Sequence, residues 1–413
     1  MRRTTTLSRP PIRLDLHHNM DLRFSLILLI IAASFAENCA TKGGINEIIN
    51  NKKLKNRSFL GLVVPNTFEL GPLLQSSSFV ADPSLPYLDF SEARNPPLSL
   101  VKWYPAPLIF PSICQVSTPN EPFNLYVHEK SLAGHSGEQS RRFRFGKVEN
   151  KNVVMVMTGL GMLNAGIATE LLLSLFKVES VLHFGIAGNA DPKLHVGDVV
   201  IPKYWSHTGL WNWQRFGDGP NDELALESNG DYTRKYGYLK FSDYETQNNT
   251  KAKKSTASEN LLNNVWYQPE EIFPVDGTPE VRQHAFWVPV DGKYYELAKK
   301  LEGMKLEGCV NSTCLHRPPQ VVRVARGCSA DIFVDNAAYR EFLYSKFNVT
   351  PLDMESAAVA LVCLQHKTPF ITIRALSDLA GGGSAESNEA DVFAPLAADN
   401  AVKVLVKFIT LLP

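Results

Sequence analysis

Several features that would place a chain at a glance are scarce here. The 413 residues hold only six cysteines, too few for disulfides to stand in for a core in a chain this long. Charge of one sign is missing too: Lys+Arg and Asp+Glu both number 42, and the formal net charge is zero. A neutral balance gives no reason to expect nucleic acid or an acidic membrane surface as partner. The apolar run Phe24 to Ala33 is too short to span a bilayer comfortably.

What is present is ordinary in bulk and informative in detail. A hydrophobic content of 44% with 20% charged residues fits a globular protein of one or two domains with a large core. From Met20 the chain reads MDLRFSLILLIIAASFAEN. Arg23 gives a positive start, the apolar run follows, and Ser34 and Ala36 are small residues at signal-peptidase spacing. A secretory signal cleaved after Ala36 is expected, within an N-terminal lead of residues 1–36 in which Met20 is the expected true start. After cleavage no membrane attachment is expected, and the destination is extracellular or vacuolar. Four glycosylation patterns begin at Asn56, Asn248, Asn311 and Asn348, in keeping with that route. Cys309 and Cys314 flank one of them in GCVNSTC. A local disulfide is plausible there; the paired spacing and histidine companions of a zinc site are lacking.

Strand-like and helix-like segments alternate along the rest. Phe59 to Val64, Arg142 to Val148, Val153 to Met157, Ser180 to Phe184, Val199 to Ile201, Val321 to Ala325 and Pro369 to Ile373 read as strands. Pro202 is expected to stop the fifth of these. AGIATELLLSLF reads as a helix capped by Asn164, and Asp335 or Asn336 opens another through Tyr344. Met354 to Leu364 reads as a buried helix and Ala397 to Leu411 as an amphipathic one. Two irregular insertions are expected, at about 83–140 (proline-rich) and 217–263 (polar). The sequence thus predicts an α/β fold: a single three-layer α/β/α domain over residues 58–413 with a central mixed sheet. In such sheets ligands bind beyond the carboxyl ends of strands. Arg374, Ser377 and Asp378 stand at one such end, in TPFITIRALSDLAGG.

Three segments stand together in order: TGLGMLNAGIA with FGIAG, DMESAAVA, and IRALSD. Their combination resembles the nucleoside phosphorylase and nucleosidase superfamily. The signal and LGLVVPNTFELGPLL resemble, more narrowly, its plant bark storage branch. The resemblance implies cleavage of the bond between ribose C1′ and a base nitrogen, through an oxocarbenium-like transition state. That chemistry needs an acid for the departing base, groups for the sugar hydroxyls and a nucleophile. By resemblance Asp378 is the acid at purine N7, oriented by Ser377, with Arg374 balancing charge. Glu355 and Met354 hold the ribose, because a carboxylate only accepts and suits two adjacent hydroxyls. Glu69 activates the water; Phe333 and Val334 stack on the base; Gly185, in the glycine turn, completes the substrate-binding set. Each has a plainer reading: a turn-capping Asp378, a helix-start Glu355, an exposed-loop Glu69, a core Phe333.

One departure bears on the nucleophile. Where phosphorylases of the superfamily grip phosphate with Arg and Ser, this chain has His183 and Ile186. A neutral imidazole and an alkyl chain make a poor dianion clamp, although the amides at Gly159 to Gly161 could bind an anion at a helix start. Water is therefore favoured, with phosphate possible as co-substrate; His183 reads as a packed strand residue. No metal, nucleotide cofactor or haem is implied. The resemblance further implies a homo-oligomer. It also leaves a second function open: nitrogen storage with little or no turnover. Residues 92–140 fit no part of the pattern and read as foreign to the fold, as a retained intron would be.

Overall fold

The computed structural model describes residues 54, 56–85, 87–89, 141–213, 238–240, 264–273, 282–382 and 390–413. Two units divide the chain. One, Met1–Ile48 with Ser91–Gln139, lies outside the described residues, as do the expected signal segment and the Asn248 pattern; the other, Ile49–Phe90 with Ser140–Pro413, carries everything below.

The chain enters the sheet at β1 (Phe59–Val64), whose six residues are all buried. A continuous apolar run is what a strand covered on both faces requires. Asn66 then caps α1 (Thr67–Gln75) by accepting the Glu69 amide at 3.1 Å. Short strands β2 (Phe79–Ala81) and β3 (Tyr87–Asp89) precede β4 (Arg142–Val148) and β5 (Lys151–Met157). Helix α2 (Met162–Leu175) leads to β6 (Val178–Asn189) and β7 (Val199–His207). Next come β8 (Trp211–Trp213), β9 (Tyr238–Lys240) and β10 (Asn264–Tyr267), which pair with one another, and the hairpin of β11 (Glu270–Ile272) with β12 (Gln283–Ala285). The chain continues through β13 (Val288–Pro289), α3 (Gly292–Leu297), β14 (Cys309–Val310) and β15 (Thr313–Cys314). It ends with β16 (Val321–Ser329), α4 (Ala337–Phe347), β17 (Pro351–Asp353), α5 (Ser356–Gln365), β18 (Phe370–Leu379) and α6 (Ala390–Leu411).

Eleven strands join in one mixed sheet, in the order β13-β7-β16-β17-β6-β1-β5-β4-β2, with β18 pairing β6 and β7 and β3 pairing β4. The centre is parallel: β1 runs with β5 and β6, and β6 with β18. Helices cover both faces. Leu60, Leu62 and Val64 join the core cluster that contains Ala401, Leu405 and Phe408 of α6. Between them Gly61 faces the other way, against Leu172 of α2, as the two-residue period of a strand demands. The expected α/β architecture is present.

Several local expectations are corrected. Asn164 does not cap α2; the cap position is Gly161, and Asn164 lies in the first turn with Nδ2 donating to Leu160 O at 2.8 Å. Strand β7 runs on through Pro202, whose missing N–H costs little because β16 and β13 supply its neighbours' partners. Strand β6 continues through the GIAG segment instead of turning there. Within the expected insertions, Tyr87–Asp89 and Tyr238–Lys240 are strands. Cys309 and Cys314 form a disulfide across the β14–β15 hairpin, and Cys328 and Cys363 are free thiols.

Candidate active site

The carboxyl ends of β1, β6, β17 and β18 meet around a cavity of about 240 Å³, lined among others by Glu69, Phe333, Val334, Met354, Glu355, Ser377 and Asp378. The three acids expected to cooperate lie far apart in sequence, and folding brings all three to this one wall.

Glu69 is delivered by the tight β1–α1 connection. The cap at Asn66 fixes the first turn, and the carboxylate points inward with 2% exposure. Its Oε1 accepts the Ile186 amide at 2.7 Å and lies 3.7 Å from Arg374 Nη1. Its Oε2 is buried and has no partner among the described residues. Burial pushes its pKa from 4.5 to about 7, against the pull of Arg374 and the Ile186 amide, with Glu355 and Asp353 adding to the rise. The exposed-loop reading of Glu69 is thereby excluded.

Glu355 ends the β17–α5 corner. Its Oε1 accepts the Gly161 amide at 3.1 Å and its Oε2 is 3.6 Å from Arg374 Nη2. Burial, then the neighbouring Asp353, raise its pKa to about 6, while Arg374 holds it down. Met354 stands beside it on the cavity wall. Asp378 sits near the end of β18 with the Ser377 hydroxyl 2.6 Å from Oδ1. That hydroxyl is also 3.2 Å from Ala187 O. Burial raises the Asp378 pKa; the Ser377 hydrogen bond opposes this and the Asp335 charge adds to it.

Two expected binding residues lie behind the wall instead of on it. Arg374 is fully buried and absent from the cavity lining. Its guanidinium reaches Asp353 Oδ2 at 2.8 Å, Ser356 Oγ at 3.1 Å and Ile186 O at 3.2 Å. Gly185 serves by what it lacks: a Cβ there would lie 2.3 Å from Glu69 Oε1 and 2.5 Å from Arg374 Nη1. Any side chain would displace one of them. Phe333 is no core residue, being 78% exposed at the cavity's edge.

Of the amides at Gly159 to Gly161 suggested as an anion cradle, those of Gly159 and Gly161 are engaged. Gly159 N donates to Pro65 O at 2.8 Å, Gly161 N to Glu355, and Met162 N to Asp331 Oδ1 at 2.7 Å. Ile186 N, on β6 across the site, is held by Glu69.

Sequence reasoning passed over Asp353, Asp331 and the partners of His183. Asp353 accepts the Glu355 and Ser356 amides at 3.2 and 3.1 Å, and the Ser329 and Ser356 hydroxyls, besides Arg374. An acid just ahead of a helix is a start signal in its own right, and DMES carries it. Asp331 meets the α2 amide from 169 residues away, and nothing local announces that.

A mixed sheet covered on both faces, with acids gathered at its strand ends, defines an α/β scaffold with a cavity at the usual ligand-binding place. The chain belongs to the phosphorylase superfamily, whose family model matches residues 124–410. It is 32% identical over 275 residues to bark storage protein A of Populus deltoides, covering 66% of this chain and 78% of that protein. It is 27% identical over 277 residues to 5′-methylthioadenosine/S-adenosylhomocysteine nucleosidase of a Marinomonas species, covering 67% of this chain and 85% of that one. The corresponding nucleosidase of Neisseria meningitidis, solved with methylthio-immucillin-A, aligns at TM-score 0.48 and 18% identity, covering 86% of this chain and 99% of that chain.

Proposed function

We propose that the protein hydrolyses the N-ribosyl bond of a purine-type nucleoside. The observation that carries this reading is the convergence of Glu69, Glu355 and Asp378 on one cavity, with Glu69 Oε2 buried and unpartnered among the described residues. A buried lone acceptor of pKa about 7 suits a base that takes a proton from water near neutrality. Asp378, held protonated longer by burial, gives its proton to the departing base at N7. Glu355 accepts from the ribose hydroxyls. Phosphate is disfavoured as nucleophile because His183 and Ile186 stand where a dianion clamp would need Arg and Ser, and because Glu355 takes the Gly161 amide. The relatives named as nucleosidases support the substrate class.

The test offers the purified protein adenosine, inosine, methylthioadenosine and a cytokinin riboside, with and without phosphate. Free base and the free sugar (ribose, or methylthioribose from methylthioadenosine) in phosphate-free buffer are expected. Ribose 1-phosphate as the product, with a strict phosphate requirement, would replace hydrolysis with phosphorolysis. A second reading is favoured by the identity to bark storage protein A: a storage protein with the same cavity and little turnover. It predicts no base release from any of the four.

The finer setting is part of the same proposal. Secretion is supported by the signal-like start and by the Cys309–Cys314 bond, which belongs in an oxidising compartment. Asn56, Asn311 and Asn348 are exposed and are the proposed glycan sites. A homo-oligomer is supported by an apolar groove of about 550 Å³ between α2 and α5, where Leu163 is 75% and Ile167 45% exposed. Sedimentation of the wild type against Leu163→Glu checks it; a monomer in both rejects it.

A further inference from the structure

Beneath the cavity, β6 carries a histidine with no exposure at all, His183. Its neighbours on either side in the sheet are Val63 of β1 and Thr372 of β18. A packed strand position calls for an apolar side chain; this one makes two polar contacts. Nδ1 lies 2.9 Å from Val63 O, and Nε2 meets Arg374 Nη2. A carbonyl oxygen can only accept, so Nδ1 carries the proton. A guanidinium can only donate, so Nε2 must offer its lone pair. Both contacts are met by one species, the neutral Nδ1–H tautomer. Burial and the adjacent Arg374 charge hold the imidazole pKa well below its ordinary value, which keeps that species in place.

The guanidinium needs such a partner. It has five N–H groups and no exposure. Nε faces Asp353 Oδ2 at 2.8 Å, Nη1 faces Ile186 O at 3.2 Å and Glu69 Oε1 at 3.7 Å, and Nη2 faces Glu355 Oε2 at 3.6 Å. The Ser356 hydroxyl sits 3.1 Å from both Nε and Nη2. An acid in place of His183 would fix the group equally well, but would cancel the charge that the three surrounding acids share. An aliphatic residue would leave a buried donor unmatched. An uncharged acceptor does neither.

We propose that His183 is a positioning residue: through Nε2 it holds the Arg374 guanidinium in the one orientation that faces Glu69, Glu355 and Asp353 together. Its effect on turnover rests on the hydrolytic reading above and passes through Glu69. Arg374 lowers the Glu69 pKa, so a guanidinium free to turn away leaves Glu69 protonated to higher pH. The charged groups around Arg374 are Glu69 from α1 and Asp353 and Glu355 from the β17–α5 corner.

The test compares His183→Phe with His183→Gln, whose side-chain oxygen replaces the Nε2 acceptor. For Phe, the acidic limb of the pH profile moves up by about one pH unit and kcat falls roughly tenfold, with KM little changed. Gln restores both. Equal behaviour of Phe and Gln, or a silent Phe variant, overturns the proposal. A second arm needs no turnover: nitrogen NMR of the wild-type full chain should find His183 as the Nδ1–H tautomer, not titrating between about pH 5 and 8. A titrating His183, or the other tautomer, overturns the proposal even if Phe fails to fold. Should the wild type release no base from any nucleoside, the hydrolytic reading fails and the NMR arm still decides the role of His183.

Discussion

Glu69 and Arg374 lie 3.7 Å apart with side-chain exposures of 2% and 0%, yet the ion pair does not keep Glu69 at the usual carboxylate pKa. Burial outweighs it and leaves the group at about 7. The cation is shared: Asp353, at 2.8 Å, is its nearest acid. A base must be unprotonated to act, so kcat/KM should rise with pH and level off above about 7. Glu69→Gln should abolish base release at every pH.

The same group sets a stability trend of opposite sense. Its folded pKa, about 7, exceeds the ordinary 4.5, so the folded state binds the extra proton between those values. Its favourable contribution is full below about 4.5 and is lost as pH climbs through about 7. At about 1.4 kcal/mol per pH unit the loss is on the order of 3 kcal/mol. Glu69→Gln should therefore melt above the wild type at pH 8 and close to it at pH 4.5. Scanning calorimetry at the two pH values checks this; a variant less stable at pH 8 refutes the assignment of a buried, costly charge.

Asp378→Asn should keep the fold, because an amide oxygen still accepts the Ser377 hydroxyl now 2.6 Å from Oδ1. It removes the proton donor to the departing base, an effect worth roughly 10²–10⁴ in rate. Steady-state base release with an unchanged melting temperature is the expected pair of results. In the wild type, burial raises the Asp378 pKa against the Ser377 hydrogen bond, which favours the protonated acid that the asparagine variant lacks.

Gly185→Ala tests the close approach beneath Glu69. The new methyl carbon would stand 2.3 Å from Glu69 Oε1 and 2.5 Å from Arg374 Nη1, distances no real contact tolerates. Overpacking of this kind costs about 1–3 kcal/mol. Base release should drop by more than that stability loss explains, because the atoms displaced are those of the base and its cation. A variant with wild-type kcat would show that Glu69 does not need its present position.

How much of this could be read in advance follows from the range of each interaction. Strand β1 and helices α5 and α6 announce themselves because burial on one or both faces writes a pattern into consecutive residues. The Glu355 and Asp378 positions were legible because each sits beside a local signature, DMES and LSD. Long-range partners were not. His183 reads as core until Arg374, 191 residues later, is seen beside it. The Gly161 amide looked free for an anion until Glu355, 194 residues on, took it. Pro202 looked like a strand end because a single sequence does not reveal which side of a strand its neighbours occupy.

The last prediction concerns the sheet's edge. Strands β3 and β4 pair antiparallel with Tyr87 opposite Arg144, Leu88 opposite Phe143, and Asp89 opposite Arg142. The last residue of β3 and the first of β4 thus share a rung, where Cα atoms stand about 5 Å apart. Two residues suffice to join strands in that relation, and Asn-Gly matches their twist. Strand β3 ends at Asp89 and β4 begins at Arg142, and joining them by a shorter connection costs less closure entropy. A chain in which Asn-Gly replaces residues 90–141 should fold, keep its melting temperature within a few degrees and release base at the wild-type rate. The cation–π contact of Arg142 with Tyr87 across the hairpin, 4.4 Å from ring centroid to guanidinium carbon, would remain to hold the register. Circular dichroism melts and the nucleoside assay on the shortened chain decide the matter. Loss of folding would mean that the segment contributes to the domain and that the edge hairpin alone cannot close the sheet.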